Sequence, residues 1–454
     1  MTGTMAHTDT IVAIATPVGR GGVGIIRVSG DRAASIARLL VGKLPAPRLA
    51  TFSNFLDADG SAIDQGIALF FPGPHSFTGE DVLELQGHGG PVVMDMLLNR
   101  VVQVGARIAG PGEFSQRAFL NDKIDLSQAE AIADLIDSGS QRAAKSAVNS
   151  LQGRFSEKIH ELDDRIVRLR IHVEAAIDFP EEEVDFLADD LIHQALAEIE
   201  VAMAQTLAQT EQGALLREGL TLVFAGRPNA GKSSLMNYFS GRETSIVTSV
   251  AGTTRDVVKE DIHLDGVPLR LVDTAGLRDS DDLVEKEGIR RARQELGTAD
   301  IVLLLIDYSE HAEDWQAQAE SLLAEVGRRD GAIVVLNKID KRELESIPTF
   351  TVPVLGISVT TLQGLAELKA HIQHAIGFDA QVEGNFIARS RHLDALRRAN
   401  EAVIAGRQQL QTRQAGELLA EELRIAHEAL NEITGEFSSD DLLGQIFSSF
   451  CIGK

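Results

Sequence analysis

The sequence predicts a multidomain chain: an α+β N-terminal domain, an all-α helical domain, and an α/β domain inserted between the two halves of the helical one. Three observations carry this expectation. As far as about residue 122, short β-branched runs alternate with Gly/Pro turns. Between Glu218 and Gly377, continuous apolar runs alternate with helical stretches, the pattern of a mainly parallel sheet covered on both faces. On both sides of that block, apolar residues recur at helical spacing.

Residues 1–122 carry "TIVAIATPVG", "VGIIRVSG", "AIALFFPGPHSF" and "DVLELQGHGG", which predict a small mixed sheet. Residues 123–217 form the first half of the helical domain. There Leu151, Phe155, Ile159, Leu162, Ile166, Leu169, Val173 and Ile177 lie at spacings of 4, 4, 3, 4, 3, 4 and 4, one apolar stripe on a single long helix. Pro180, opening an acidic run, stops it. Residues 218–377 supply the strands "LTLVFAG", "VPLRLVDTAG", "ADIVLLLID", "GAIVVLNKID" and "VPVLGIS". In residues 378–454, "RHLDALRRANEAVIAG" and "GELLAEELRIAHEALNEIT" return to helical periodicity. Insertion is easy where a host chain leaves and re-enters at nearby surface points.

Composition narrows the functional classes. The 454 residues suffice for about three domains. A hydrophobic content of 44% with no low-complexity tract is globular. The formal charge of −24 argues against a generally basic nucleic-acid surface, so any RNA contact is expected to be local. One cysteine, Cys451, leaves no internal disulfide and fits a reducing cytosol. "MTGTMAHTDT" lacks a signal-peptide pattern, and "IVLLLI" is too short to cross a bilayer. A soluble cytoplasmic protein, away from membranes, is the expectation.

The sharpest feature is "VFAGRPNAGKSSL". Gly226, Gly231, Lys232 and Ser233 satisfy G-x-x-x-x-G-K-[ST] between a strand and a helical pattern, the context a phosphate loop requires. Backbone N–H groups of the loop, from Asn229 through Ala230 to Ser234, would cradle phosphate oxygens. Lys232 would neutralise the β/γ-phosphates, and the Ser233 hydroxyl would take Mg²⁺. "AGTTRD" follows, with Thr253 and Thr254 as candidates to cap the γ-phosphate and its metal. "DTAG" offers Asp273 for the metal shell, then Thr274 and Ala275, and the Gly276 N–H for the γ-phosphate. In "NKID", Asn337 and Lys338 precede Asp340, whose carboxylate matches the two N–H groups of a guanine edge; adenine would leave it unpaired. The loop "ISVTTLQG" places Ser358 where base-contacting backbone is expected. Four elements in this order predict a Ras-like P-loop GTPase that uses GTP.

One position breaks the Ras-like template. After Gly276 stands Leu277, where a glutamine orients the attacking water in that template. Two replacements are available. The Asn229 side chain can help ligate a monovalent cation where an arginine finger otherwise acts. The carboxylates Asp279, Asp281, Asp282, Glu285 and Glu287 can orient water, although a solvated loop explains such a cluster more simply.

Long stretches resemble the MnmE (TrmE) family of tRNA-modification GTPases: "DTIVAIATPVGRGGVGIIRVSG", "PGPHSFTGEDVLELQGHGGP", "PGEFSQRAFLNDKIDLSQAEAIADLI", "GRPNAGKSSLMN", "AGTTRD", "DTAGLR" and "CIGK". The match spans essentially the whole chain. The resemblance implies a potassium-dependent, homodimeric, cytosolic GTPase that works with an FAD-dependent partner of the MnmG (GidA) family. Together they would modify carbon 5 of the wobble uridine in certain tRNAs to an aminomethyl-type form, the carbon coming from a folate. It places potassium on Asn229 and on "TSVAGT", with Thr248, Val250 and Thr253 as ligands and Ser249, Ala251 and Gly252 in the same loop. It puts Mg²⁺ on Ser233 and Thr254, makes Glu285 the water-orienting carboxylate, and accounts for Leu277.

The resemblance also implies a 5-formyl- or 5,10-methylene-tetrahydrofolate site in the N-terminal domain, on Arg27, Glu84, Lys123 and Lys454. Glu84 can accept from pterin N–H groups while the cations face carboxylates. Cys451 reads either as a small buried apolar residue or as a catalytic thiol returned to the folate by the tail. "GRGGVG" at 19–24 imitates a dinucleotide fingerprint, but a strand-like "IIRVSG" follows it, so a glycine turn with φ > 0 is the better reading. His88 in "LQGHGG" is expected to line a turn or a pocket wall.

Overall fold

The computed structural model describes residues 9–178, 190–243, 259–264, 267–273, 299–344, 346–347, 349–375, 386–413, 415–436, 440–450 and 453. The chain divides into two compact units. One comprises Met1–Ala133, Ser150–Glu200 and Arg398–Lys454, the other Asp134–Asn149 and Val201–Arg397.

The first unit contains a six-stranded mixed sheet. Its strands are β1 (Ile11–Ile14), β2 (Gly21–Ser29), β3 (Thr51–Leu56), β4 (Ala62–Phe71), β5 (Val82–Gly89) and β6 (Arg107–Ile108), in the order β3-β4-β5-β2-β1-β6. Strand alternation sets its two faces. Ile26 and Val28 of β2 are fully buried, together with Leu83 and Leu85 of β5, against Ile36, Leu40 and Leu97 of the helices Ala33–Val41 and Pro91–Gln103. Arg27 and Glu84 therefore project from the opposite face. Gly21, Gly22 and Gly24 lie within β2, and only Gly19 of that tract has φ in the left-handed half, at +146°. The expected glycine turn is thus mostly strand. Its small residues admit a close neighbour, since a Cβ on Gly24 would lie 2.4 Å from Met94 Sδ.

The apolar stripe of the sequence is real from Phe155 onward. Phe155, Ile159, Leu162, Ile166, Leu169 and Val173 are all buried on the helix Arg154–Asp178, which packs along the helix Gly416–Thr434. Each such burial contributes about 1.5–3 kcal/mol. Leu151 is the exception to the expected single helix. It ends a separate helix, Gln141–Leu151, and the chain breaks at Gly153, whose φ of +88° ends helical geometry.

The second unit holds the α/β fold. Its strands are β7 (Leu220–Gly226), β8 (Lys259–Leu264), β9 (Val267–Asp273), β10 (Ile301–Asp307), β11 (Ala332–Asn337) and β12 (Val354–Ile357), ordered β12-β11-β10-β7-β9-β8. All neighbours are parallel except β8, an antiparallel edge strand. Every residue of β10 is buried: Ile301, Leu303 and Leu305 join one core, and Val302, Leu304 and Ile306 join the core on the other face. Burial on both faces is why this strand reads as one continuous apolar run. Among the described residues, no helix is long and apolar enough to cross a membrane.

Candidate functional site

The carboxyl ends of the parallel strands collect the nucleotide motifs. Strand β7 starts the sheet, the chain then passes to β9 on one side and to β10 on the other, and such a switch point opens a crevice for ligands. Register brings the pieces level there. Gly226 pairs with Leu305, Asp307 with Asn337, Asn337 with Ile357, and Asp273 with Phe224.

From Gly226 the loop turns into the helix Lys232–Glu243. Lys232 Nζ donates to Gly226 O at 2.6 Å and to Arg227 O at 3.2 Å, so the ammonium lies across the loop. The Asn337 side chain, 2% exposed, donates to Ala230 O at 2.9 Å and ties the end of β11 to the phosphate loop. That contact explains Gly231: at φ +101°, a Cβ there would sit 2.1 Å from Asn337 Nδ2. Asn229, at φ +64°, stands exposed at the loop's crest, and Ser233 and Ser234 are exposed on the helix's first turn.

Around the expected guanine pocket, Lys338 forms an ion pair with Asp307. Burial opposes ionisation of Asp307, but hydrogen bonds from Lys338 and Ser309 outweigh it and hold its carboxyl below the usual range. Ile339 N–H donates to Ile357 O at 3.2 Å, leaving Asp340 exposed at the strand mouth. Ser358 is fully buried, its N–H on Gln363 O at 2.9 Å and its Oγ accepting from Thr361 N–H at 3.1 Å. These bonds fix the turn that follows β12.

In the first unit, Arg27 and Glu84 face each other across β2 and β5, with Arg27 Nε donating to Glu84 Oε1 at 2.9 Å. The guanidinium carbon stands 5.9 Å from the centre of the Phe114 ring. Lys123 is exposed, its backbone N–H bonded to Ala118 O at 2.8 Å. His88, largely exposed, places Nδ1 2.8 Å from Asp64 Oδ1. Burial raises the Asp64 pKa, but the His88 backbone and ring donors bring it below the ordinary carboxylate value. Gly453 is buried against the end of β1: a Cβ on it would lie 2.4 Å from Ile14 O. The tail therefore does return to the N-terminal sheet.

Comparison with known proteins follows this geometry. A family profile described as the MnmE helical domain matches residues 126–451, and one described as GTP-binding protein TrmE N-terminus matches residues 10–123. The tRNA modification GTPase MnmE of Vibrio cholerae (strain O395) is 58% identical over 98% of this chain and 100% of its own. That of Coxiella burnetii (strain Dugway) is 54% identical over 99% and 100%. Among solved structures, the G domain of the T. maritima FeoB iron transporter is 26% identical, covering 34% of this chain and 98% of its own, with a TM-score of 0.27. The chain belongs to the MnmE family.

Of the MnmE-type site residues, the structure brings together Asn229, Ala230, Gly231, Lys232, Ser233, Asn337, Lys338, Asp340 and Ser358 at one sheet end, and Arg27 with Glu84 on another sheet. Thr248, Ser249, Val250, Ala251, Gly252, Thr253, Thr254, Thr274, Ala275, Gly276, Glu285, Cys451 and Lys454 lie outside the described residues, and Asp273 is placed through its backbone alone. Sequence reasoning missed Asp307, whose only signal was its place at the end of an apolar strand. It also missed a buried charge cluster in the first unit. There Arg117, 1% exposed, bonds Asp9 at 2.8 Å, Glu80 at 3.0 Å and Glu113 at 3.0 Å.

Proposed function

We propose that this GTP hydrolase of tRNA modification is potassium-dependent and, with an FAD-dependent MnmG-type partner, modifies C5 of the wobble uridine using a one-carbon unit from a tetrahydrofolate. The observation that carries the GTPase half is the assembly of the phosphate loop, the end of β9, and the Asn337–Asp340 segment at one sheet end, joined by the Asn337–Ala230 hydrogen bond. The tRNA half rests on family membership over the full length. A homodimer working in the cytosol completes the reading.

The residues fit the groups this needs. Asn229 offers a side-chain oxygen at an exposed crest with φ +64°, beside the first turn that carries the Ser233 hydroxyl. Oxygen donors of this kind suit K⁺ and Mg²⁺ respectively. When bound, potassium supplies positive charge where an arginine finger acts in other GTPases. Lys232, held across the loop by the Gly226 and Arg227 carbonyls, can exchange those two partners for phosphate oxygens. Glu285 is assigned to orient water, Thr254 to cap the metal, and Thr248, Val250 and Thr253 to complete the potassium shell. Asp340 at the strand mouth selects guanine. Arg27 and Glu84, paired but part-exposed, meet a folate as a single donor–acceptor unit; Lys123 and Lys454 are assigned to its carboxylates, and Cys451 is assigned as a catalytic thiol.

GTP turnover in potassium against sodium tests the mechanism. Potassium is expected to raise turnover by at least about tenfold, and Asn229→Ala to abolish that stimulation while GTP still binds. Equal turnover in the two salts sinks the potassium assignment. Mass spectrometry of wobble uridine from cells lacking the protein tests the other half, and unchanged modification overturns it.

A further inference from the structure

The chain passes into the α/β fold through Arg217–Gly219 and out of it through Arg389–Ser390, and both passages meet on one carboxylate. Asp134, near the end of the helix Leu126–Ile136, is 7% exposed. It accepts from Arg217 Nε at 2.9 Å and from a terminal nitrogen of Arg389 at 2.8 Å. Its backbone carbonyl accepts from Ser138 Oγ at 2.6 Å. Beside it, Glu218 accepts from the Ser390 N–H at 3.3 Å and from its hydroxyl. The two passages also touch directly, since a Cβ on Gly213 would lie 2.7 Å from Phe386 O. Incoming and outgoing stretches are thus bound to each other through backbone packing and through two carboxylates.

The β8–β9 hairpin touches the same joint. Strand β8 begins at Lys259, just past "AGTTRD", and β9 ends at Asp273, where "DTAG" begins, so one hairpin connects two segments expected to sense the nucleotide. At its far end the hairpin leans on two glycines. A Cβ on Gly219 would lie 2.7 Å from Pro268 O, and one on Gly139 would lie 2.9 Å from His263 Nε2. His263 Nδ1 is buried without a hydrogen-bond partner, so no polar bond through that atom pins the ring. A cavity of about 540 Å³, lined among others by Asp134, Arg217, Glu218, His263, Pro268 and Arg270, adjoins these contacts. The hairpin therefore has two points to push on and space beside them to move into.

We propose that Asp134 is a positioning residue that couples the nucleotide state to tRNA modification. With Arg217 and Arg389 it makes the two passages one joint, on which the hairpin acts through Gly139 and Gly219. The physical reason lies in the shared carboxylate. Charge-assisted bonds to two guanidinium groups are short and directional, and removing the buried anion takes away the one carboxylate that the two passages share. With Asp134 in place, a push at Gly219 moves both passages together. Without it, the passages separate and the movement is absorbed at one of them. The inference rests on the tRNA-modifying reading above.

The test uses full-length Asp134→Asn, with Gly139→Val as an independent wedge between hairpin and joint. Four quantities are measured: GTP affinity, potassium-stimulated turnover, wobble-uridine modification restored to cells lacking the protein, and amide exchange at residues 386–392 with and without a GTP analogue. For both variants, affinity and turnover are expected within about threefold of wild type. Modification is expected to fall by at least about tenfold. The nucleotide-dependent exchange difference at 386–392, present in the wild type, should vanish in both. Undiminished modification overturns the proposal. So does a parallel loss of turnover, because Asp134 would then only support the GTPase fold. If wild type itself restores no modified uridine, the tRNA reading fails, and the exchange difference at 386–392 alone decides the joint.

Discussion

Asn337 and Asp340 stand three positions apart in one short motif, and the structure separates their work. Asn337 is buried and holds Ala230 of the phosphate loop, whereas Asp340 is exposed at the strand mouth. Asn337→Ala should therefore weaken guanine and xanthine nucleotides alike, by about tenfold or more, equivalent to about 1.4 kcal/mol. Asp340→Asn should change which base is preferred, because only the base-edge pairing is altered. Titration of GTP and XTP against both variants checks this. A selective effect of Asn337→Ala on GTP would show that its contact is with the base and not with the loop. The role proposed for Asp340 comes from spacing in the sequence. The role of Asn337 in fixing the loop was not, because 107 positions separate it from Ala230 and only the β10–β11 pairing brings it to the sheet's end.

At the scale of elements, the sequence revealed strands with two buried faces better than strands with one. β10 and β11 are continuous apolar runs, and their cores confirm why. β8 reads "KEDIHL", with Ile262 and Leu264 as its only apolar residues, both buried, so this edge strand carries little strand signal in sequence. β3, "TFSNFL", is also an edge strand, and its pattern is blurred because Phe52 stands 70% exposed while Phe55 is buried. The helix Glu113–Leu120 carries a charge device invisible in sequence. Burial disfavours ionised Glu113, but donors from Arg107, the Gly110 N–H and Arg117 overcome it and hold its carboxyl below the usual range. A depressed carboxyl pKa contributes stability above the unfolded value, about 4.3, and loses it as pH falls through the folded value. Glu113→Gln should then cost about 3 kcal/mol at pH 7. The gap to wild type should narrow below about pH 4.3, as urea unfolding at several pH values would show. A gap that stays constant with pH would mean that Glu113 acts by packing alone.

Across the whole molecule, the first unit is assembled from three stretches of chain and the second from two. The terminal helix Asp440–Ser448 closes the first unit. Leu443, Ile446, Phe447 and Phe450 are buried with Leu126 and Ala129, and Phe447 stands 5.4 Å from Phe450, ring centre to ring centre. Phe447→Ala should cost about 3–5 kcal/mol and release the tail that seats Gly453 against Ile14. Thermal unfolding together with amide exchange at Gly453 measures both effects. A destabilised variant in which Gly453 stays protected would show that the tail is held by something other than this cluster.

The sequence by itself determined the local pattern: a phosphate-loop motif between strand and helix, an N-K-x-D segment at a strand's end, doubly buried strands and an apolar helical stripe. Each of these is set by residues close together in the chain, so period and spacing suffice to read them. Only the tertiary structure decided the partners of isolated charges. Asp134 collects Arg217 and Arg389, and Arg117 collects Asp9, Glu80 and Glu113. A lone charged residue has no periodicity to betray it. Its energy depends on which distant segment the fold places opposite it in a dry interior, where an unpaired charge is costly.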